Sequence, residues 1–263
     1  MNTSIEDFDR WQAHIGLKTF GEGLNAAAKA IFPNESRSRY TKVYVLMLSW
    51  ADEDPDLPVS IEILKLYKVF KDIYHFDVEV WRIPDEACHI EVNQKILDFV
   101  KLGGDSDDHL KIVYYAGHAR LTKNRRLAWT SGQRSRNGKT PTVQWSGIQN
   151  ALEHSQSDVL ILLDCCHAGT ANNNEGNGVT ELIAACAYNS LANGVGSFSF
   201  TRELEIELRE LAKLPSFSIG NLYHNIFCRI QARMSDDERD HPAPVYLPLT
   251  QEDPRYPRSI RLS

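Results

Sequence analysis

Hydrophobic positions along the 263-residue chain alternate between two periods. Short, almost wholly apolar runs occur at Val43–Ser49 (VYVLMLS), Lys111–Tyr115 (KIVYY), Val159–Asp164 (VLILLD) and Glu181–Ala187 (ELIAACA). Such runs are the pattern of strands covered on both faces. Asp77–Ile83 (DVEVWRI) adds another strand. Helical spacing fills the intervals. Ile63, Leu66, Tyr67, Phe70 and Ile73 share one face of Pro58–Tyr74, with Pro58 at a favourable first-turn position. Val92–Val100 lies in the next helix, and Ser146-Gly-Ile-Gln149 reads as a capping box opening a third. Leu204, Leu208 and Leu211 mark a fourth helix, and Leu222, Ile226 and Ile230 a fifth. Val245–Leu249 (VYLPL) looks like a last strand, in which Pro248 removes a ladder donor and so predicts a sheet edge.

Strand–helix alternation of this kind predicts an α/β three-layer sandwich. About six strands form a mostly parallel central sheet, with helices on both faces. Residues 1–40 read as a separate N-terminal helical extension, because Leu24, Ala27, Ala28 and Ile31 sit at helical spacing and Pro33 ends the run. The same stretch holds Gly21-Glu-Gly23-Leu-Asn-Ala26, a formal match to the dinucleotide glycine fingerprint. No buried strand precedes it, so it predicts no cofactor site. Residues 41–263 are expected to form one domain.

Composition narrows the class. With 42% hydrophobic and 24% charged residues, the chain is neither disordered, collagen-like nor coiled coil. A net charge of −6 disfavours a general nucleic-acid binder. No apolar run approaches the ~18–20 residues of a membrane span. The acidic start, Met1-Asn-Thr-Ser-Ile-Glu-Asp7, lacks the apolar stretch of a signal peptide. Five cysteines (Cys88, Cys165, Cys166, Cys186, Cys228) are odd in number and scattered, which fits a reducing compartment, cytoplasmic or nuclear.

In an open α/β sheet, ligands bind outside the carboxyl ends of the strands. After the KIVYY strand comes Ala116-Gly117-His118-Ala119, and after VLILLD comes Cys165-Cys166-His167-Ala168-Gly169. If the two strands are parallel neighbours, a histidine and a cysteine emerge on one rim as a thiol nucleophile with its base. Small residues around both allow a substrate backbone to approach closely. Adjacent side chains of an extended segment point to opposite faces, so only one of Cys165 and Cys166 can address His118. The first is expected in the core. The same geometry counts against a zinc site made of Cys165, Cys166 and His167, and no metal ligand set is expected there.

These two motifs carry a resemblance. A strand followed by AGHA, then Cys166 lying 48 residues after His118 in strand–DCCHAG, resembles the caspase–metacaspase superfamily of cysteine peptidases. The sequence Asp164-Cys-Cys-His-Ala-Gly169 is closer to the metacaspase D-S-C-H-S-G than to the caspase Q-A-C-R-G, and the resemblance spans about residues 40–250. It implies a caspase-like fold, Cys166 as nucleophile and His118 as general base and acid. It also implies an oxyanion hole from the backbone amides of Cys166 and Ala119, where the family usually has glycine at the second position. Ala116 replaces a serine often found there. Asp164 then lines the pocket for the residue before the scissile bond, implying cleavage after arginine or lysine. A second carboxylate is expected from Asp52, Asp54 or Asp56, with no choice among them. A helix-capping or loop role is the alternative for Asp164.

The resemblance further implies regulated proteolysis or cell-death signalling, with protein or peptide substrates. Two alternatives stand beside this reading: a caspase-like interaction module without turnover, and a peptidase with acidic specificity. No cofactor is required by the sequence. Calcium activation is left open, although Asp105, Asp107 and Asp108 match no calcium loop. Between Ala119 and Leu152 there are basic residues, among them Arg120, Lys123, Arg125, Arg126, Arg134, Arg136 and Lys139, but no acidic one. This reads as a solvated loop, a self-cleavage segment or, least well supported, a docking site for an acidic partner or nucleic acid. Thr170–Val179 holds no arginine or lysine, so activity without cleavage there is expected. Pro248 blunts the edge through which caspases dimerise, and a monomer is expected.

Overall fold

The computed structural model describes residues 16–31, 38–132, 138–170, 176–187, 192, 194–196, 198–234, 242–251 and 258–263. At its centre is a six-stranded sheet built from β1 (Lys42–Trp50), β2 (Asp77–Ile83), β3 (His109–Ala116), β7 (Asp158–Asp164), β8 (Thr180–Ala184) and β10 (Val245–Thr250). Their order is β10-β8-β7-β3-β1-β2. All neighbours run parallel except β10, which pairs antiparallel with β8 at the edge, with a register shift between Pro248 and Thr250. Pro248 sits where its missing N–H does least harm.

Alternation along the central strands assigns the two cores. Val45 and Met47 of β1, with Leu110, Ile112 and Tyr114 of β3, face one side. There they meet α2 (Ser60–Lys68), α5 (Phe200–Leu211) and α6 (Ile219–Met234) through Ile63, Leu66, Leu204, Leu208, Leu222 and Ile226. Leu46, Leu48, Val113 and Tyr115 face the other side, against Val92 and Ile96 of α3 (Cys88–Lys101) and Ile148 and Leu152 of α4 (Trp145–Glu153). Each such side chain contributes roughly 1.5–3 kcal/mol on burial, which is why the apolar runs of the sequence become the sheet. The mostly parallel sheet, flanked by helices on both faces, is the three-layer α/β architecture the alternation predicts.

Several local expectations change. The helix expected over Pro58–Tyr74 begins at Ser60, and its last turn, Val69–Ile73, is a π-helical segment. The last parallel strand is Thr180–Ala184, ending short of Ala187. The capping box at Ser146 does not form. Gln144 is the N-cap, and Gln149 instead accepts from Trp145 Nε1 (2.9 Å) and donates to Glu153 (2.7 Å) within the buried face. The polar segment after β3 is no simple loop: β4 (His118–Leu121), β5 (Leu127–Thr130) and β6 (Thr142–Gln144) form a small antiparallel sheet. It is anchored by Trp129, which is fully buried and stacks on Tyr115 at 3.9 Å between ring centroids. Trp129 therefore offers no face to a nucleic-acid base. Residues 133–137, with Arg134 and Arg136, lie outside the described residues, as do residues 171–175 of the Thr170–Val179 segment.

Residues 17–31 form α1 (Leu17–Ile31), with Gly21 and Gly23 in mid-helix, a placement foreign to a phosphate-binding turn. Residues 38–40 are tied into the folded body: Arg39 and Tyr40 both bond Asp158 at 2.6 Å. Among the described residues, no helix is long and apolar enough to cross a membrane. Two short strands, β9 (Phe217–Ser218) and β11 (Arg261–Leu262), pair with each other at the far end.

Candidate active site

The chain leaves β1 for β2 on one side of the sheet and, further on, enters β3 on the other, so strand order reverses between β1 and β3. That is the position at which α/β sheets open a ligand crevice. The register of β3 against β7 sets Ala116 beside Asp164, so the segments after the two strands leave the same rim as neighbours. Gly117 N–H donates to the Asp164 carbonyl at 3.3 Å, closing the join. A cleft of about 480 Å³ opens there, lined by His118, Cys166, Asp164, Glu62, Gly117 and Leu57 among others. His118 and Cys166 thus face one space.

His118 is the first residue of β4 and about one-third exposed at its side chain. Its backbone carbonyl accepts from Tyr115 Oη (2.7 Å), which in turn accepts from Trp50 Nε1 (3.0 Å). The preceding Gly117, at φ 147°, would bring a Cβ to 3.0 Å from that hydroxyl. The imidazole is held as well: His118 Nε2 lies 2.8 Å from Asp54 Oδ2. The amide of Asp56 donates to Asp54 Oδ1 (2.9 Å), and these two hydrogen bonds, the Asp56 one first, lower the Asp54 pKa. Asp54 therefore stays ionised.

Gly132 packs directly on this ring. A Cβ built there would lie 2.3 Å from His118 Cδ2 and 2.8 Å from Nε2, at a φ of 77° that disfavours any side chain. Gly132→Ala is expected to push the imidazole off Asp54 and cut turnover at least about tenfold, with the left-handed backbone adding a folding cost of roughly 1–2 kcal/mol. Turnover equal to that of the parent, measured alongside thermal melting, would contradict this placement of the ring.

After β7 the chain turns through Cys165, Cys166 and His167, the last at φ 59°. Cys165 is buried among the apolar side chains facing α3 and α4, whereas Cys166 is half-buried at the cleft wall. Burial raises the Cys166 thiol pKa, with Asp164 adding to the shift; the amides of Ala192 and of Cys166 itself oppose it. The resting group is therefore a thiol. Among the described residues, no hydrogen bond links it to His118. Ala119, the other residue of the expected oxyanion hole, is half-buried in β4 opposite Trp129.

Asp164 lines the cleft and also bonds the start of α5, accepting from Thr201 N (3.2 Å) and Thr201 Oγ1 (2.5 Å). The cleft and helix-capping readings therefore both describe it. Burial pushes its carboxyl up to about 7; the Thr201 hydrogen bonds oppose this, and nearby Glu62 adds to it. Glu62 itself is buried and raised by burial, accepting from Ser199 Oγ (2.6 Å) and Gly196 N (3.1 Å). Two carboxylates thus share the cleft. Besides Asp164, the other is Glu62 of α2, while Asp54 of the Asp52–Asp56 loop is engaged by His118.

Glu62 was not singled out in the sequence, where it resembles any charged helix residue beside an apolar one. Gly132 gave only an ordinary turn signal. In the Asp105–Asp108 cluster both Asp105 oxygens accept from Ser155, Gln156 and Ser157, and Asp108 accepts from Ser106 and Thr41. Among the described residues, no group of three or more His, Cys, Asp and Glu could hold a metal ion.

The fold these elements define is caspase-like. A solved structure, the caspase-1 of Spodoptera frugiperda, superposes with a TM-score of 0.58 over 82% of this chain and 89% of that one, at 12% sequence identity. At that identity the likeness speaks for the fold alone. No family model and no curated protein matches the chain.

Proposed function

We propose that the chain is a cysteine endopeptidase that cleaves after arginine or lysine. The observation that carries this is the β3–β7 register, which brings His118 and Cys166 to one cleft whose other charged side chains, among the described residues, are the carboxylates Asp164 and Glu62. In the proposed reaction Cys166 Sγ passes its proton to His118 and attacks the scissile carbonyl carbon. The oxyanion is received by the amides of Ala119 and Cys166. His118 then protonates the departing amine as the C–N bond breaks, and water, deprotonated by the same ring, hydrolyses the thioester. The absence of a resting His118–Cys166 hydrogen bond is compatible with this, because such contacts often tighten only when substrate binds.

Asp164 and Glu62 favour a cationic side chain, since a guanidinium pairs with a carboxylate bidentately and an acidic residue meets repulsion. The second reading, an interaction module without turnover, draws on the His118 ring being engaged by Asp54 and not by the thiol. Fluorogenic peptides ending in Arg, Lys or Asp, assayed with and without calcium, separate the readings. Arg or Lys cleavage by a monomer left uncut within Thr170–Val179 is expected, and the two calcium arms show whether the ion activates it. Cleavage after Asp overturns the pocket assignment, and no turnover of any peptide leaves the interaction module.

A further inference from the structure

We propose that Asp54 is a positioning residue for this dyad: its carboxylate fixes the ring proton of His118 on Nε2, leaving Nδ1 as the nitrogen that serves Cys166. The inference rests on the peptidase reading above and adds a third member to it.

The loop after β1 offers alternating aspartates at 52, 54 and 56, and one of them meets the imidazole, Asp54 Oδ2 at 2.8 Å from Nε2. An ionised carboxylate only accepts hydrogen bonds, so the nitrogen it touches must carry the proton. In a neutral imidazole the other nitrogen is then unprotonated. The ring stands between two hollows. One is the cleft with Cys166; the other is lined by Trp50, Glu53, Asp54 and Ser131. With Nε2 engaged on the Asp54 side, Nδ1 is the nitrogen left for the cleft.

The carboxylate is itself held, its second oxygen fixed by the Asp56 amide. The ring is held from two further directions, by the Trp50–Tyr115 relay on its backbone and by Gly132 against its edge. Fixed on both sides, the imidazole has one tautomer and one orientation in which to act. Asp54 neither touches the thiol nor reaches the cleft floor, so its effect should fall on the chemical step and not on peptide binding.

The test compares parent, Asp54→Ala, Asp54→Asn and Asp54→Glu proteins. An asparagine can present its amide N–H to Nε2, which demands the opposite tautomer. In serine enzymes that change costs ~10⁴ in kcat, and a thiol, which ionises more readily, should lose less, about 10- to 100-fold. Asp54→Ala and Asp54→Asn are expected to lower kcat by that amount with KM within twofold, and Asp54→Glu to restore part of it. The ring ¹⁵N shifts of His118 should show Nε2–H in the parent and its loss in the asparagine variant. This signature needs no turnover, so it supports the positioning role even where every peptide assay is blank and the peptidase reading fails. Unchanged ring shifts in Asp54→Asn overturn the inference. So does a faster Asp54→Ala enzyme, which would make Asp54 a latch holding the base away from the thiol.

Discussion

Cys166→Ala is expected to lower kcat by at least about a thousandfold and leave folding intact, because loss of a nucleophile removes the covalent route while binding and oxyanion contacts survive. Cys166 sits half-buried in a turn, where losing one sulfur atom costs little packing. Its neighbour should behave oppositely. Cys165 is 2% exposed among apolar side chains, and burial raises its thiol pKa strongly, so it is inert as a nucleophile. Cys165→Ser places a hydroxyl in that environment and is expected to cost about 1–3 kcal/mol of stability, with kcat per folded molecule within a few-fold of the parent. Melting curves and active-site titration on the two variants give both quantities. A stable, inactive Cys165→Ser protein together with an active Cys166→Ala protein would exchange the two roles and remove the geometric basis of the site.

Some of this was legible in the chain and some was not, for identifiable reasons. Strands buried on both faces leave little freedom of composition, so VYVLMLS and VLILLD announce themselves. That β3 and β7 are neighbours was only a condition in the sequence; the sheet order supplies it, and with it the shared rim of His118 and Cys166. The small β4–β5–β6 sheet escapes such reading because its first strand, His-Ala-Arg-Leu, is short, half-buried and charged. Its stability comes from Trp129 lying on Tyr115, a contact between distant positions. Asp54 shows a different limit. Three aspartates alternate along one loop, and only the folded path of that loop selects the one that reaches the histidine. Glu62 is bonded by Gly196 and Ser199, more than 130 residues later. No local pattern encodes that. The Ser146 capping box fails for a local reason: Trp145, its side chain buried, is already the first helical residue, and Gln149 turns inward to its indole.

Asp164→Asn is expected to have the second large effect, on specificity and, with opposite sign, on stability. The carboxyl of Asp164 titrates near 7 because burial and the charge of Glu62 outweigh the hydrogen bonds from Thr201. A cationic side chain entering the cleft selects the ionised form. Below pH 7, binding must expel a proton, so the ratio of kcat/KM for an arginine peptide over a neutral analogue should rise with pH up to about 7 and then level off. Using the ratio cancels the ionisation of Cys166 and His118, which both peptides need equally. Asparagine should flatten that profile and lower the arginine preference by about 10²-fold, the scale of a charge-assisted pair in a partly dry site. Stability moves the other way. A carboxyl whose folded pKa lies above its unfolded value makes the native state bind the proton more tightly, so stability falls as pH rises from about 4 to 7. Above 7 the parent carries the full cost of a buried charge. Asparagine keeps the Thr201 contacts without that charge, so the variant should melt higher than the parent at pH 8. Each kcal/mol recovered adds roughly 2–4 °C, and the advantage should shrink toward pH 4. An arginine preference independent of pH in the parent, or a variant less stable at pH 8 than at pH 5 relative to it, would mean that Asp164 serves the start of α5 and not the substrate.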